Sequence, residues 1–248
     1  MRPLTCVRPA STGRPWVFLP FAGGSGDWYR SWVQWLPPED GVWVANLPGR
    51  SRRPADPALV DPEAVVHELS AAVRVLQSPP VLFGHSLGAL LAHAVARSLE
   101  NSGRPVRLVV LSGAGPSVGV RRSDDLDDAA LVAYLADLGG TPPEVLAHPE
   151  MLELVLPGLR ADLRLAAAFG EPRLVRAPVL ALAGAQDATA RPEEVAGWAP
   201  RCERWEGLRV FDGGHFFLDD HARQVVGAVH EVLVRTDEPA PHYAQEVR

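Results

Sequence analysis

The 248-residue chain contains no lysine and no isoleucine, and all 24 of its basic residues are arginine. Lysine and isoleucine codons are AT-rich, so this absence reflects a GC-rich coding sequence and carries no functional meaning. Cysteine is almost absent. Cys6 and Cys202 are the only two, and neither stands beside a histidine or a second cysteine, which excludes a disulfide framework and a zinc-ligand spacing. No apolar run reaches the 18 or more residues of a membrane span, and the first residues, Met-Arg-Pro-Leu-Thr-Cys-Val-Arg-Pro, hold no apolar secretory segment. A cytoplasmic protein with two free thiols is expected. The net charge of −6 is the wrong sign for a general nucleic-acid binder. Neither a membrane nor a nucleic acid is expected as partner, and no metal or other cofactor is expected.

What is present is organised around residues 78–95. The apolar run Val81-Leu-Phe83 stops at Gly84-His-Ser-Leu-Gly88, and an Ala- and Leu-rich helical stretch follows at once. Strand, sharp turn and helix with serine at the apex is the context that gives the G-x-S-x-G motif its meaning. Ser86 then needs a positive φ to project its hydroxyl. Gly84 and Gly88 are needed where a Cβ would strike the neighbouring strand or helix. The start of the helix offers unpaired N–H groups where an oxyanion would form.

Elsewhere buried strands alternate with amphipathic helices. Strands are predicted at Trp16–Leu19, Val42–Ala45, Val106–Leu111, Val179–Ala183 and Leu208–Phe211, with one edge strand within residues 1–14. Helices are predicted over 62–77, with Asp61 near the start, after Pro192, and from about 218 to Leu233. Trp28, Trp32 and Trp35 recur at spacings of four and three, which places them on one helical face packed against the sheet. Between about 117 and 172 the strands cease and two helical stretches, 128–138 and 148–168, take over. We read this block as a helical insertion over the sheet, a lid at the substrate entrance; ordinary crossover helices are the alternative. The acidic residues Asp124, Asp125, Asp127 and Asp128 mark its helix start. The tail from about 236 to 248 has no periodicity and is expected to be mobile. No linker divides the chain, so residues 1–248 are read as one α/β domain with a mostly parallel sheet covered on both faces.

A serine hydroxyl needs a base, and the base an orienting acid. In this strand–helix pattern the order along the chain is serine, acid, histidine, each in a loop after a strand. Ser86, Asp187 and His215 meet that order. His215 follows the last strand in a Gly-Gly-His loop, whereas His67, His93, His221 and His230 fall in helices, His242 in the tail and His148 in the insertion. His85 neighbours Ser86, but its side chain should diverge. Asp212 is the rival acid, better suited to a turn. The oxyanion donors are expected to be the N–H of Leu87 and one from the loop after the first buried strand, Ala22 by preference and Phe21 as the fallback.

With these residues in place, the chain resembles the type II thioesterases that accompany polyketide and nonribosomal peptide assembly lines. The resemblance rests on Leu19-Pro-Phe-Ala-Gly-Gly-Ser25, Leu47-Pro-Gly-Arg50, Phe83-Gly-His-Ser-Leu-Gly-Ala89, Leu138-Gly-Gly-Thr-Pro142, Leu156-Pro-Gly-Leu-Arg-Ala-Asp162, Gly184-Ala-Gln-Asp187 and Gly213-Gly-His-Phe-Phe217. It implies an α/β-hydrolase fold with a helical lid. It also implies hydrolysis of acyl groups from the phosphopantetheine arm of an acyl or peptidyl carrier protein, for editing or for release. A monomer is expected. Two departures stand out: Leu87 replaces the usual methionine, and Gly113-Ala-Gly-Pro116 lacks an arginine often found there, which leaves acyl preference open. Arg50, Arg52 and Arg53 read either as a surface for an acidic carrier or as a solvated loop. The competing functions are a carboxylesterase or lipase for small oxygen esters, and a catalytically silent binding protein on the same fold.

Overall fold

The structure, a computed structural model, describes residues 2–116 and 126–237. Seven strands form one continuous sheet: β1 (Leu4–Arg8), β2 (Pro15–Leu19), β3 (Gly41–Ala45), β4 (Val81–His85), β5 (Leu108–Ser112), β6 (Val175–Gly184) and β7 (Cys202–Phe211). Their spatial order is β1-β3-β2-β4-β5-β6-β7, and only the β1–β3 pairing at one edge is antiparallel. The uninterrupted apolar letters of β2, β4 and β5 follow from burial on both faces.

Strand alternation divides the core in two. Val17, Leu19 and Leu82 face α1 (Pro62–Val73) and α2 (Leu87–Asn101), whose Leu69, Leu91 and Val95 meet them. Trp16, Phe18, Val81 and Phe83 face the opposite way, onto a 3-10 helix (Gly26–Trp35) and α7 (Leu218–Asp237). Asp61 caps α1 by accepting the Glu63 N–H at 3.0 Å, ahead of a proline in the first turn. α2 is buried nearly all round, as befits a helix enclosed between the sheet and other helices.

The insertion holds α3 (Asp128–Leu138), α4 (Pro143–Leu146) and α5 (Pro149–Ala168), with no strand among its described residues. Asp127 caps α3 through the Ala130 N–H at 2.8 Å, and Asp128 pairs with Arg160 of α5; Asp124 and Asp125 lie outside the described residues, as does 117–125 as a whole. Leu131, Leu135, Leu156, Leu159 and Leu163 form a small core of the insertion's own, against which Ala22 packs.

Three sequence expectations need correction. The Trp28–Trp32–Trp35 stripe forms only in part: Trp28 and Trp32 pack together on the core, their ring centres 5.8 Å apart, but the segment is a 3-10 helix and Trp35 turns away. At three residues per turn, Gly26, Tyr29 and Trp32 line up and are buried. Trp35 is 41% exposed, with the Arg223 guanidinium 5.7 Å from its ring centre. Secondly, β6 and β7 are ten residues each, at least twice the length read from their apolar runs, because their first halves also pair with each other, Val175 with Cys202 and Pro178 with Arg204. Finally, α7 continues to Asp237, so the start of the expected tail at 236 belongs to the helix; residues 238–248 lie outside the described ones. α6 (Pro192–Ala196) is the short helix expected after Pro192.

Candidate active site

Ser86 joins β4 to α2 with φ 55° and ψ −121°, a strained conformation for a residue with a Cβ. Its N–H donates to the Ser112 carbonyl at 2.8 Å, and its carbonyl accepts the Ala89 N–H at 2.9 Å, so the turn is fastened on both sides. A Cβ on Gly84 would overlap the backbone of Gly88, and one on Gly88 would overlap the Leu19 carbonyl. Both glycines are there for close backbone approach, as the motif implied.

Loops after β6 and β7 bring the other two residues together. His215 Nδ1 stands 2.7 Å from Asp187 Oδ2, with both side chains almost fully buried. The Gln186 N–H donates to the Gly213 carbonyl at 2.9 Å, and the Gln186 side chain accepts the Gly213 N–H in return. These bonds lock one loop to the other. Asp212, the rival acid, is exposed, and His148 lies exposed at the start of α5. Burial pushes the Asp187 carboxyl up, but bonds from His215 and Thr189 outweigh it, so the group stays below its ordinary value and ionised at neutral pH.

Sequence reasoning missed Thr189. Asp187 Oδ1 accepts the Thr189 hydroxyl at 2.7 Å, the Thr189 N–H at 2.9 Å and the Ala190 N–H at 3.0 Å. The hydroxyl is also 3.0 Å from His215 Nδ1. An aspartate bonding the N–H two residues on is an Asx turn, and the letters Asp-Ala-Thr could have suggested it. Tyr134 of α3 was missed too: burial, and then the negative charge of Asp187, push its phenol up.

His85 diverges from Ser86 as expected. Its Nδ1 is 2.9 Å from the Ser112 hydroxyl, and its ring centre lies 4.7 Å from that of His215. Burial, followed by the neighbouring His215, drives its pKa well down, so it is a neutral wall of the site. Phe216 and Phe21 continue that wall, their ring centres 4.9 Å apart.

The loop after β2 forms a turn in which the Gly24 N–H donates to the Phe21 carbonyl at 3.0 Å, with Gly23 at φ 72°. The Gly23 N–H is engaged by Asp162 Oδ2 at 2.7 Å. No acceptor among the described residues takes the Ala22 N–H. Leu87 is the first residue of α2, so its N–H has no intrahelical partner. The N–H groups of Phe21, Ala22 and Leu87 thus have no acceptor among the described residues, and the turn engages Phe21 only through its carbonyl.

The arginine loop is a correction. Arg53 is buried, held by Glu68 at 2.8 Å, Asp56 at 2.7 Å and the Asn46 carbonyl at 3.2 Å; Arg50 pairs with buried Asp162. Arg52 alone is partly exposed, and it bonds Asp27. These side chains bind the fold's own carboxylates instead of forming an open basic surface. Among the described residues there is no group of His, Cys, Asp and Glu that could hold a metal, and no helix is long and apolar enough to cross a membrane.

A mostly parallel sheet, a serine at a strained strand–helix elbow, and an acid and a histidine on the loops after the last two strands define the α/β-hydrolase fold. Comparison with known proteins narrows this further. Residues 14–233 match the thioesterase-domain family, and the chain belongs to it. It is 35% identical over 227 residues to the thioesterase PikA5 of Streptomyces venezuelae, covering 89% of this chain and 81% of that one. It is 36% identical over 231 residues to phenyloxazoline synthase MbtB of Mycobacterium tuberculosis, covering 90% of this chain but only 16% of that much longer one. The solved structure of YbtT, a type II thioesterase from the yersiniabactin NRPS/PKS pathway, superposes with a TM-score of 0.85 at 28% identity, covering 95% of this chain and all of that one.

Proposed function

We propose that this thioesterase hydrolyses acyl thioesters from the phosphopantetheine arm of acyl or peptidyl carrier proteins in polyketide or nonribosomal peptide assembly, for editing or release. The observation that carries the chemistry is the buried His215–Asp187 hydrogen bond on loops beyond the elbow. Kinship with PikA5 and YbtT supports the assembly-line setting.

Asp187, ionised, holds the proton on His215 Nδ1 and leaves Nε2 free as a base. Nε2 takes the Ser86 proton as Oγ bonds to the thioester carbonyl carbon, and the displaced electron pair settles on the oxygen. The N–H groups of Leu87 and Ala22 hold that oxyanion. Collapse breaks the C–S bond, and the thiolate leaves with the proton from His215. A thiolate departs readily, so little acid assistance is needed. A water then gives a proton to His215 as its oxygen bonds to the acyl carbon, collapse breaks the C–Oγ bond as His215 returns that proton to Ser86 Oγ, and the acid leaves. No step calls on a cofactor. The insertion α3–α5 acts as the lid past which the arm must reach.

The test is intact-mass monitoring of carrier proteins loaded with short and long acyl groups, incubated with wild type and with Ser86→Ala beside an aryl oxygen ester. Fast deacylation by wild type alone is expected. Untouched carriers with fast ester cleavage would instead make this a carboxylesterase, and no turnover of either substrate would make it a binding protein.

A further inference from the structure

We propose that Asp162 is a positioning residue that couples the helical insertion to the oxyanion hole, so that the donor geometry for the transition state depends on where α5 sits. This rests on the functional reading above. Asp162 projects from the fourth turn of α5, is 3% exposed, and accepts the Gly23 N–H at 2.7 Å through Oδ2. The same oxygen pairs with Arg50, itself largely buried, which comes from the Leu47-Pro-Gly-Arg50 loop after β3. One carboxylate therefore joins three segments: the insertion, the loop after β2 and the loop after β3. Residues 19–25, 47–50 and 156–162 were three separate sequence signatures, and the chemistry of Ser86, His215 and Asp187 uses none of the charged residues among them.

The consequence for the oxyanion hole follows from the turn. In residues 21–24 the Phe21 carbonyl accepts the Gly24 N–H, which fixes the peptide plane that carries the Ala22 N–H. The next plane carries the Gly23 N–H and is fixed by Asp162. Gly23 also lies against Leu159, one turn before Asp162, and Ala22 packs on the insertion's own core. Were the acceptor lost, the Ala22–Gly23 peptide would be held on one side only and free to rotate, since a glycine resists little, and the 21–24 turn that directs the Ala22 N–H would lose its outer support. A displacement of even about 1 Å at a transition-state donor is costly. A second contact ties the insertion to the opposite wall. Gly140, between α3 and α4, approaches the Phe216 ring so closely that a Cβ there would overlap it, and Phe216 adjoins His215.

Removing Asp162 alone would leave Arg50 buried without a partner and endanger the fold. The test therefore compares two variants in an Arg50→Met background: Asp162→Asn, which keeps a side-chain carbonyl for Gly23, and Asp162→Leu, which fills similar space without an acceptor. Thermal melting and near-UV circular dichroism establish that each is folded. kcat and KM are then measured on an acyl-carrier thioester and on an aryl ester, since both reactions pass through an oxyanion. The Leu variant is expected to lose about tenfold to a hundredfold in kcat with KM within about threefold. The Asn variant is expected to stay within about threefold of wild type in both constants. Equal kcat in the two variants would overturn the coupling while leaving the functional reading intact. A wild type inert to both substrates would overturn that reading, and this proposal with it.

Discussion

Gly88→Ala tests the elbow and the oxyanion hole together. Gly88 is the second residue of α2, and a Cβ there would lie 3.0 Å from the Pro20 carbonyl oxygen and 3.1 Å from the Leu19 carbonyl carbon, with the Leu19 oxygen nearer still. All three are backbone atoms, so no side chain can swing aside. Ordinary contact begins near 3.4 Å, so the start of α2 or the end of β2 must yield by about half an ångström or more, a displacement large enough to disturb catalytic geometry. The two elements that separate carry the two proposed oxyanion donors: Leu87 immediately precedes Gly88, and Leu19-Pro20 leads into Ala22. Overpacking should cost about 1–3 kcal/mol of stability. Loss of one aligned donor should cost about a hundredfold in kcat. KM should change little, because the ground-state carbonyl makes scant use of the hole. The assay is steady-state hydrolysis of an acyl-carrier thioester, with a guanidinium melt of the same preparation. A folded Gly88→Ala enzyme with kcat within about threefold of wild type would refute the reasoning. Gly227→Ala is the control: no atom lies near its Cβ site and it is exposed on α7, so the change should stabilise by about 0.5–1 kcal/mol and leave kcat alone.

Asp187→Asn should reduce kcat about a thousandfold or more with the fold retained, because a neutral amide no longer holds the proton on His215 Nδ1; a loss under about tenfold in a steady-state assay would count against the acid assignment. His93, packed against the Trp198 ring in the core, has its pKa pushed down to about 4, chiefly by burial. The unfolded chain therefore takes up a proton near 6.5 that the native one refuses, and stability should fall by about 2 kcal/mol between roughly pH 7 and 5. His85 shifts in the same direction, so the measurement is the difference between wild type and His93→Gln in urea melts at the two pH values. Parallel losses in both proteins would show that His93 contributes nothing. Asp187 acts at the other end of the scale. Its depressed value means that its share of stability is present above the ordinary carboxylate range and is lost as pH falls through its lower native value.

Chain order made the candidate site legible because the α/β arrangement places each candidate residue at the end of a strand, and strand ends are where apolar runs stop. Val81-Leu-Phe83 ends at Ser86, Val179–Ala183 ends near Asp187, and Leu208–Phe211 ends near His215. Local chemistry was equally legible where it is local: Asp61 as a cap, and glycines at 84 and 88 because backbone crosses backbone there. Sequence by itself thus determined the sheet, the elbow and the hydrogen-bonded His215–Asp187 pair, since each depends on periodicity or on a few adjacent letters. Tertiary structure decided what depends on distance. Whether Trp28, Trp32 and Trp35 share a face turned on a 3-10 pitch that their spacing does not encode. Whether Arg50 and Arg53 meet solvent or carboxylates turned on Asp162 and Glu68, which are 112 and 15 residues away along the chain. The bond from Gly23 to Asp162 crosses 139 residues. A charged side chain carries no mark in the sequence of the partner that will neutralise it, because that pairing exists only once the insertion has folded back over the sheet.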